Sequence, residues 1–384
     1  MNLKILFFTT ATEHTTFRKT ARMLQKEGAT VKLLGFTRNN YPASTDNIST
    51  NILGTLTHGS YIKRLFTLLK ALRLLRKEAG MYDVVYCFAL DTLLFARLAL
   101  RFQKKTIVYQ VQDIRAILIG QSLKSKLARK LEKILIKKVS RLVVSSEFYF
   151  KNHFSRYYNF PFSKTTVIEN KLENPPDNCK TEIQDNKRNN NTIVVGYFGV
   201  MRCKRSWEIL RDTIKTSQGN FALYLRGKPD AIPNIDGEIS ETPNILFKGP
   251  YKSPDDLNTI YDMVDIVWAA YPFGYGKEGN WQMARTIRFY EACAHKKPVL
   301  VQTGTPQAQF VKIHNIGLVI DMNLPAKVIS QIQNITTENL LEWKKNLSVL
   351  DQSMFVHTIE YKQFLYTLLE DSKLINRRSF YEKN

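Results

Sequence analysis

At 384 residues, with 44% hydrophobic and 23% charged residues, the chain has a soluble globular composition and is too long for one ordinary core, so two domains are expected. No apolar run approaches the roughly 20 residues that a bilayer-spanning helix needs, and the opening MNLKILFFTTATEH reads as a core strand, not a signal peptide. The net charge of +22 is one-sided: residues 1–175 hold 30 Lys and Arg against 11 Asp and Glu, whereas residues 176–384 hold 26 against 23. The first part should therefore face something anionic, whether a phosphate-rich substrate, a membrane or nucleic acid. Cys87, Cys179, Cys203 and Cys293 lack CxxC spacing and read as unpaired thiols in a reducing compartment.

In chain order, strand LKILFFTT, helix FRKTARMLQKEGA with its stop at Gly28, and strand TVKLLGF form a βαβ unit. A helix over 60–79, strand YDVVYCF, helix DTLLFARLALRFQK and strand TIVYQVQD continue it. Helix SLKSKLARKLEKILIKKV, strand RLVVSS and strand TVIEN close the set. The polar, Asn-rich stretch 173–192 reads as a linker. The rhythm then restarts with strand TIVVGYFG, helix SWEILRDTIKTS, strands FALYLRG and NILFKGPY, helix SPDDLNTIYDMV and strand DIVWAAYP. In SPDD, Ser253 is the expected helix cap and Pro254 the first turn. Residues 339–372 read as helices. Such alternation predicts α/β domains with mostly parallel, doubly wound sheets.

Ligands of such sheets bind beyond the carboxyl ends of the strands, so the loops there carry the candidates. After TIVVGYFG, Gly199 is followed by Arg202, Lys204 and Arg205 just before a helix, where cations and free N–H donors suit a diphosphate. Arg226 with Gly227, and Lys248 to Tyr251, follow the next two strands, although turn geometry explains their glycines equally well. The loop TTATEHTTFR offers His14, Thr15, Thr16 and Arg18. YQVQD ends in Asp113, placed to orient or deprotonate a hydroxyl or else to cap the next segment. One acid, Glu291, sits inside the apolar face of helix IRFYEACAHKK, where it is costly unless it holds something. Its plain alternative is a helix salt bridge with Arg288 or His295. Asn280 and Arg285 precede that helix, as ligand contacts or as exposed loop residues.

The run 275–306, YGKEGNWQMARTIRFYEACAHKKPVLVQTGTP, resembles the sugar-nucleotide-binding segment of the GT-B retaining glycosyltransferases, and of glycosyltransferase family 4 in its polysaccharide-assembly branch in particular. The resemblance implies two Rossmann-like, doubly wound domains facing across a cleft. Their expected bounds are 1–175 for the acceptor side, 176–192 for a linker and 193–350 for the nucleotide-sugar domain, with helices of 351–384 crossing back to the first domain. It further implies that Glu291 grips the ribose and that Arg202 and Lys204, after Gly199, neutralise the leaving diphosphate. Gly227, Asn280 and Arg285 fall on the donor side, Arg18 and Thr16 on the acceptor side, and Asp113 and His14 are the acid–base candidates. Two positions depart from the family pattern. Met283 stands where a second Glu is common, and Gln112 replaces a His, which removes any proton exchange there.

The activity implied is transfer of a hexose, with retention, from a nucleotide sugar to a lipid-diphosphate-linked glycan in cell-surface polysaccharide biosynthesis, lipopolysaccharide or capsule, with a UDP-sugar as the expected donor. The nucleotide sugar is a co-substrate. No other cofactor and no metal is expected, since no DxD-like motif precedes the site and Lys and Arg can supply the charge. The work of such a site is positioning and stabilisation of the departing diphosphate. Helices 60–77 and 122–138 each set leucines against lysines and arginines. Their apolar arcs should pack on the sheet and their basic faces dock on an anionic membrane, making the protein cytoplasmic and peripheral on the inner membrane face. The alternatives are a GT-B sugar-nucleotide epimerase, a nucleic-acid-binding protein, for which no module signature is present, and a non-catalytic membrane-binding scaffold.

Overall fold

The computed structural model describes residues 3–37, 46–55, 61–177, 192–232, 234–271, 280–283 and 285–381; for 61–70 and 376–381 it describes the backbone alone. The chain divides into two compact units, Met1–Glu169 with Thr358–Asn384, and Asn170–His357. Most of the expected linker, 178–191, lies outside the described residues.

Among the described residues, unit 1 has a seven-stranded, all-parallel sheet in the order β3-β2-β1-β4-β5-β6-β7. The strands are β1 (Lys4–Thr9), β2 (Thr30–Thr37), β3 (Ser49–Thr55), β4 (Val84–Phe88), β5 (Thr106–Val111), β6 (Arg141–Val144) and β7 (Thr165–Val167). Its first helices are α1 (Thr15–Lys26), α2 (Tyr61–Gly80), α3 (Ala89–Ala99), α4 (Ala116–Ile119), α5 (Leu123–Ile136), α6 (Glu147–Tyr149) and α7 (Arg156–Tyr158). VVYCF and TIVYQV are buried at every position, as strands covered on both faces must be. The order reverses between β1 and β4, so the carboxyl ends of these strands form the switch point where ligands of such sheets bind. The edge strand β3 is absent from the sequence reading. STNILGT is polar and mostly exposed, and its backbone pairing with β2 makes it a strand.

The orientation of α5 corrects the expectation. Leu123, Leu127, Leu131 and Ile134 face outward, and the inward face carries Ser125, Glu132, Leu135 and Ile136. Glu132 explains the turn. Its carboxylate accepts from the Tyr109 hydroxyl at 2.9 Å, lies 2.8 Å from His153 Nε2 and accepts also from the Tyr158 hydroxyl. These partners offset the desolvation of a buried acid. Burial first, and the Glu132 charge second, hold both tyrosines protonated and so keep them donors. In α2, Leu75 of the expected apolar arc is buried and Leu72 half-buried, with Ala71 and Ala79 also buried; the side chains of Lys63, Lys70 and the earlier leucines lie outside those described.

Unit 2 repeats the plan with β8 (Ile193–Val200), β9 (Phe221–Lys228), β10 (Ile245–Phe247), β11 (Ile266–Trp268), β12 (Val299–Gln302) and β13 (Gly317–Ile320). Among the described residues these form a parallel six-stranded sheet, β10-β9-β8-β11-β12-β13. Its helices are α8 (Lys204–Thr216), α9 (Ile235–Ser240), α10 (Leu257–Asp262), α11 (Asn280–Met283), α12 (Ile287–Ala294), α13 (Pro306–His314), α14 (Pro325–Gln333) and α15 (Thr337–Ser348). The expected helix start at Ser253 and Pro254 is displaced. The Asp256 carboxylate accepts from the Lys252 N–H at 2.8 Å and closes a turn, so α10 opens only at Leu257.

The last helix, α16 (Glu360–Tyr381), belongs to unit 1. Its Tyr361, Phe364, Leu365 and Leu368 join the core formed by β1, β2 and β4, and the Arg141 guanidinium on β6 makes a two-point ion pair with Asp371 at 2.9 and 3.0 Å. The alternating pattern of the sequence thus resolves into two Rossmann-like halves, the first completed by the end of the chain.

Candidate functional site

In unit 2, the site starts from backbone. Gly199 at the end of β8 pairs in register with Gly227 at the end of β9, and the Gly227 N–H donates to the Gly249 carbonyl at 2.8 Å. All three take left-handed φ values, +88, +124 and +66. A Cβ on Gly227 would lie 2.0 Å from the Gly199 carbonyl oxygen, so the approach of the two strand ends excludes any side chain there. Arg226 braces the neighbouring loop by donating to the Gly249 and Pro250 carbonyls at 3.2 and 3.0 Å.

Beside this glycine row lie Arg288 and Tyr251: a Cβ on Gly199 would meet the Arg288 guanidinium at 3.8 Å and the Tyr251 hydroxyl at 3.9 Å. Arg288 is buried on α12. It donates to the Trp268 carbonyl at 2.8 Å, lies 3.4 Å from the Tyr271 hydroxyl, and its guanidinium carbon stands 4.7 Å from the Tyr197 ring centre.

One turn further along α12, Glu291 is buried, with the Tyr261 hydroxyl of α10 donating to its Oε2 at 2.9 Å. Tyr261 and Tyr251 both have their ionisation pushed up, by burial first and by the Glu291 charge second. Both therefore remain hydroxyl donors beside a carboxylate. Of the helix neighbours weighed as salt-bridge partners, Arg288 directs its guanidinium to the groups above. His295 meets the Glu291 backbone carbonyl, at 2.7 Å from its Nδ1, and stacks on Tyr261 with ring centres 4.5 Å apart. A carboxylate so placed is an acceptor for hydroxyl pairs.

Arg202 and Lys204 are exposed at the start of α8, directly after the Gly199 turn, while Cys203 caps the helix and Arg205 reaches the Met322 carbonyl at 3.4 Å. Lys204 stands 3.7 Å from Glu208, one turn on. The helix amino terminus and these cations make one positive, solvent-facing end. Asn280 opens the short α11, with Met283 buried at its end. Arg285 lies one residue before the Thr286 cap of α12, its guanidinium 5.2 Å from the Phe310 ring centre.

In unit 1 the candidates lie at the carboxyl ends of β1 and β5. His14 caps α1, its Nδ1 accepting from the Thr16 N–H at 3.3 Å, and stacks on Phe17. Thr16 stands in the first turn of that helix and accepts at its carbonyl from Thr20. Arg18, expected on the acceptor side, is buried. It pairs with Asp46 and donates to the Thr12 carbonyl at 3.0 Å, the geometry of a brace for the β1–α1 turn. Asp113 is exposed after β5, and its charge, after burial, raises the ionisation of Tyr149. Because β4 lies between β1 and β5, the strands that precede His14 and Asp113 stand about 10 Å apart. The structure thus gathers Gly199, Gly227, Arg202, Lys204 and Glu291 around one end of the second sheet.

Sequence reasoning missed Tyr261 and the placement of Arg288, and it reached Tyr251 only as the end of a candidate loop. Their signal was faint: Tyr261 sits in the apolar face of its helix, where a hydroxyl needs a partner. Among the described residues, no group of three or more His, Cys, Asp or Glu side chains is arranged to hold a metal ion, and no helix is long and apolar enough to cross a membrane.

Known proteins share this architecture. The Anabaena HepE structure in complex with UDP and glucose matches with a TM-score of 0.68 at 16% identity, covering 96% of this chain and 100% of HepE. Sucrose-phosphate synthase of Thermosynechococcus elongatus matches with a TM-score of 0.66 at 15% identity over 100% of both chains. The fold is GT-B. Residues 14–171 match the family model Glycosyltransferase Family 4. The succinoglycan biosynthesis protein ExoL of Rhizobium meliloti (strain 1021) is 28% identical over 342 residues, which span 83% of this chain and 81% of ExoL. The chain is a glycosyltransferase with the GT-B fold, similar to family 4 over residues 14–171.

Proposed function

We propose that the chain moves a hexose, with retention, from a nucleotide sugar bound on unit 2 to a lipid-linked glycan at the inner face of the membrane, in cell-surface polysaccharide biosynthesis. The observation that carries the reading is Glu291, a buried carboxylate held by Tyr261 beside a row of glycines at the end of a parallel sheet. A ribose offers two neighbouring hydroxyls to such an acceptor. The diphosphate would then lie toward Gly199 and the start of α8, where Arg202, Lys204 and the helix amino terminus oppose its charge as the sugar–phosphate bond breaks. Asp113 and His14 are the acid–base candidates of unit 1. The UDP in the HepE structure and the biosynthetic role in the name of ExoL support a UDP-sugar and a polysaccharide product.

The test is a titration of the purified chain with UDP and with UDP-sugars, followed by thermal unfolding and by calorimetry. UDP should raise the unfolding midpoint. Glu291→Ala should weaken binding by about 10- to 100-fold, the worth of hydrogen bonds to a charged acceptor. Equal affinity in the variant would sink the assignment of the donor site.

A further inference from the structure

We infer that the outward apolar stripe of α5 is a docking surface for an anionic lipid bilayer. Its purpose rests on the membrane-bound acceptor proposed above. Leu123, Leu127, Leu131 and Ile134 recur at helical spacing and are 77, 67, 40 and 55% exposed. Lys126, Lys130, Lys133 and Lys137 follow one border of the stripe at the same period, and Lys124 and Lys138 lie along the other; all are exposed. No ion pair engages any of these lysines among the described residues. The one acid of the helix, Glu132, is turned inward and bound by Tyr109, His153 and Tyr158.

This is a helix fixed in the orientation that a free amphipathic helix on a soluble protein avoids. Its polar contacts face the core and its leucines face out. On a bilayer, the leucines reach the acyl boundary while the lysine stems extend their ammonium groups to headgroup phosphates on either side. The alternatives fit less well. Two copies meeting through this stripe would bring two sets of lysines together, a like-charge contact. Nucleic acid would meet leucines at the centre of the surface, where base stacking calls for aromatic side chains.

The experiment is co-sedimentation of the full chain with vesicles of phosphatidylcholine alone and of phosphatidylcholine with phosphatidylglycerol, without any sugar substrate. Binding should be confined to the anionic vesicles. Leu123→Ser with Leu127→Ser should lower the partition coefficient by about tenfold or more, and each of Lys126→Gln and Lys130→Gln should lower it by about fivefold at low salt. The UDP-induced shift of the unfolding midpoint is read in the same variants. If it is retained while vesicle binding falls, the docking surface is separated from the donor site and from misfolding. If vesicle binding survives both the leucine and the lysine changes, or if the unaltered chain is a dimer that the leucine change splits with no vesicle binding at all, the proposal is overturned.

Discussion

The Tyr261 hydroxyl donates to the Glu291 carboxylate at 2.9 Å, and both groups are buried. A hydrogen bond to a buried charge contributes about 1.5–3 kcal/mol, so Tyr261→Phe should destabilise unit 2 by about 2 kcal/mol. It should also leave Glu291 less well oriented and weaken UDP binding by several-fold without abolishing it. Urea unfolding and calorimetry on the same variant measure the two effects. Unchanged stability would mean that the contact is not maintained in solution.

Gly227 and Gly249 make a matched pair, because both adopt positive φ and only one is crowded. A Cβ on Gly227 would strike the Gly199 carbonyl oxygen at 2.0 Å, while a Cβ on Gly249 meets nothing within 4 Å. Gly249→Ala should therefore lose only the conformational preference, about 1 kcal/mol. Gly227→Ala must also part β8 from β9, and the loss should exceed about 3 kcal/mol. Denaturant midpoints for the two variants check the order.

Burial lowers the His295 pKa from 6.5, an effect partly opposed by the bond to the Glu291 carbonyl. A histidine whose folded pKa is depressed binds protons more readily when unfolded. Its contribution to stability is complete above pH 6.5 and is lost as pH falls toward the folded value. The unfolding midpoint should decline through that window, and His295→Gln should show a shallower decline. Parallel profiles for the two proteins would remove His295 as the cause.

The two-sheet plan was legible because buried parallel strands such as VVYCF and TIVYQV announce themselves as apolar runs between helical patterns. Edge strands do not. β3 is a polar run paired on one side, and the short β13 followed a helix that the sequence reading left out. In the proposed donor site, Glu291 stood out as an acid in an apolar face and Tyr251 fell in a candidate loop, whereas Tyr261 passed for an ordinary core residue. Arg18 shows the reverse: its family position suggested a ligand contact, and its pairing with Asp46, remote in sequence, was not legible. For α5 the periodicity was plain and its direction was not. A helical stripe shows only that two faces differ, and the face turned inward depends on partners distant in sequence.

Glu132 supplies that direction, and its removal should be felt well beyond its own contacts. Glu132→Ala leaves the Tyr109 and Tyr158 hydroxyls and the His153 imidazole buried without their common acceptor. A loss of about 3–5 kcal/mol is expected, since breaking a buried charged network strands every other member. The inward pull on the helix is lost with it. Leu131 and Ile134 can then compete with Glu132's neighbours for the core, so the anionic-vesicle binding expected of the outward stripe should fall even where folding is rescued by osmolyte. Glu132→Gln keeps an acceptor for one tyrosine and should restore part of both. Hydrogen exchange across residues 123–136 distinguishes the cases: protection that matches the unaltered chain in Glu132→Ala would show that the helix holds its orientation without the carboxylate.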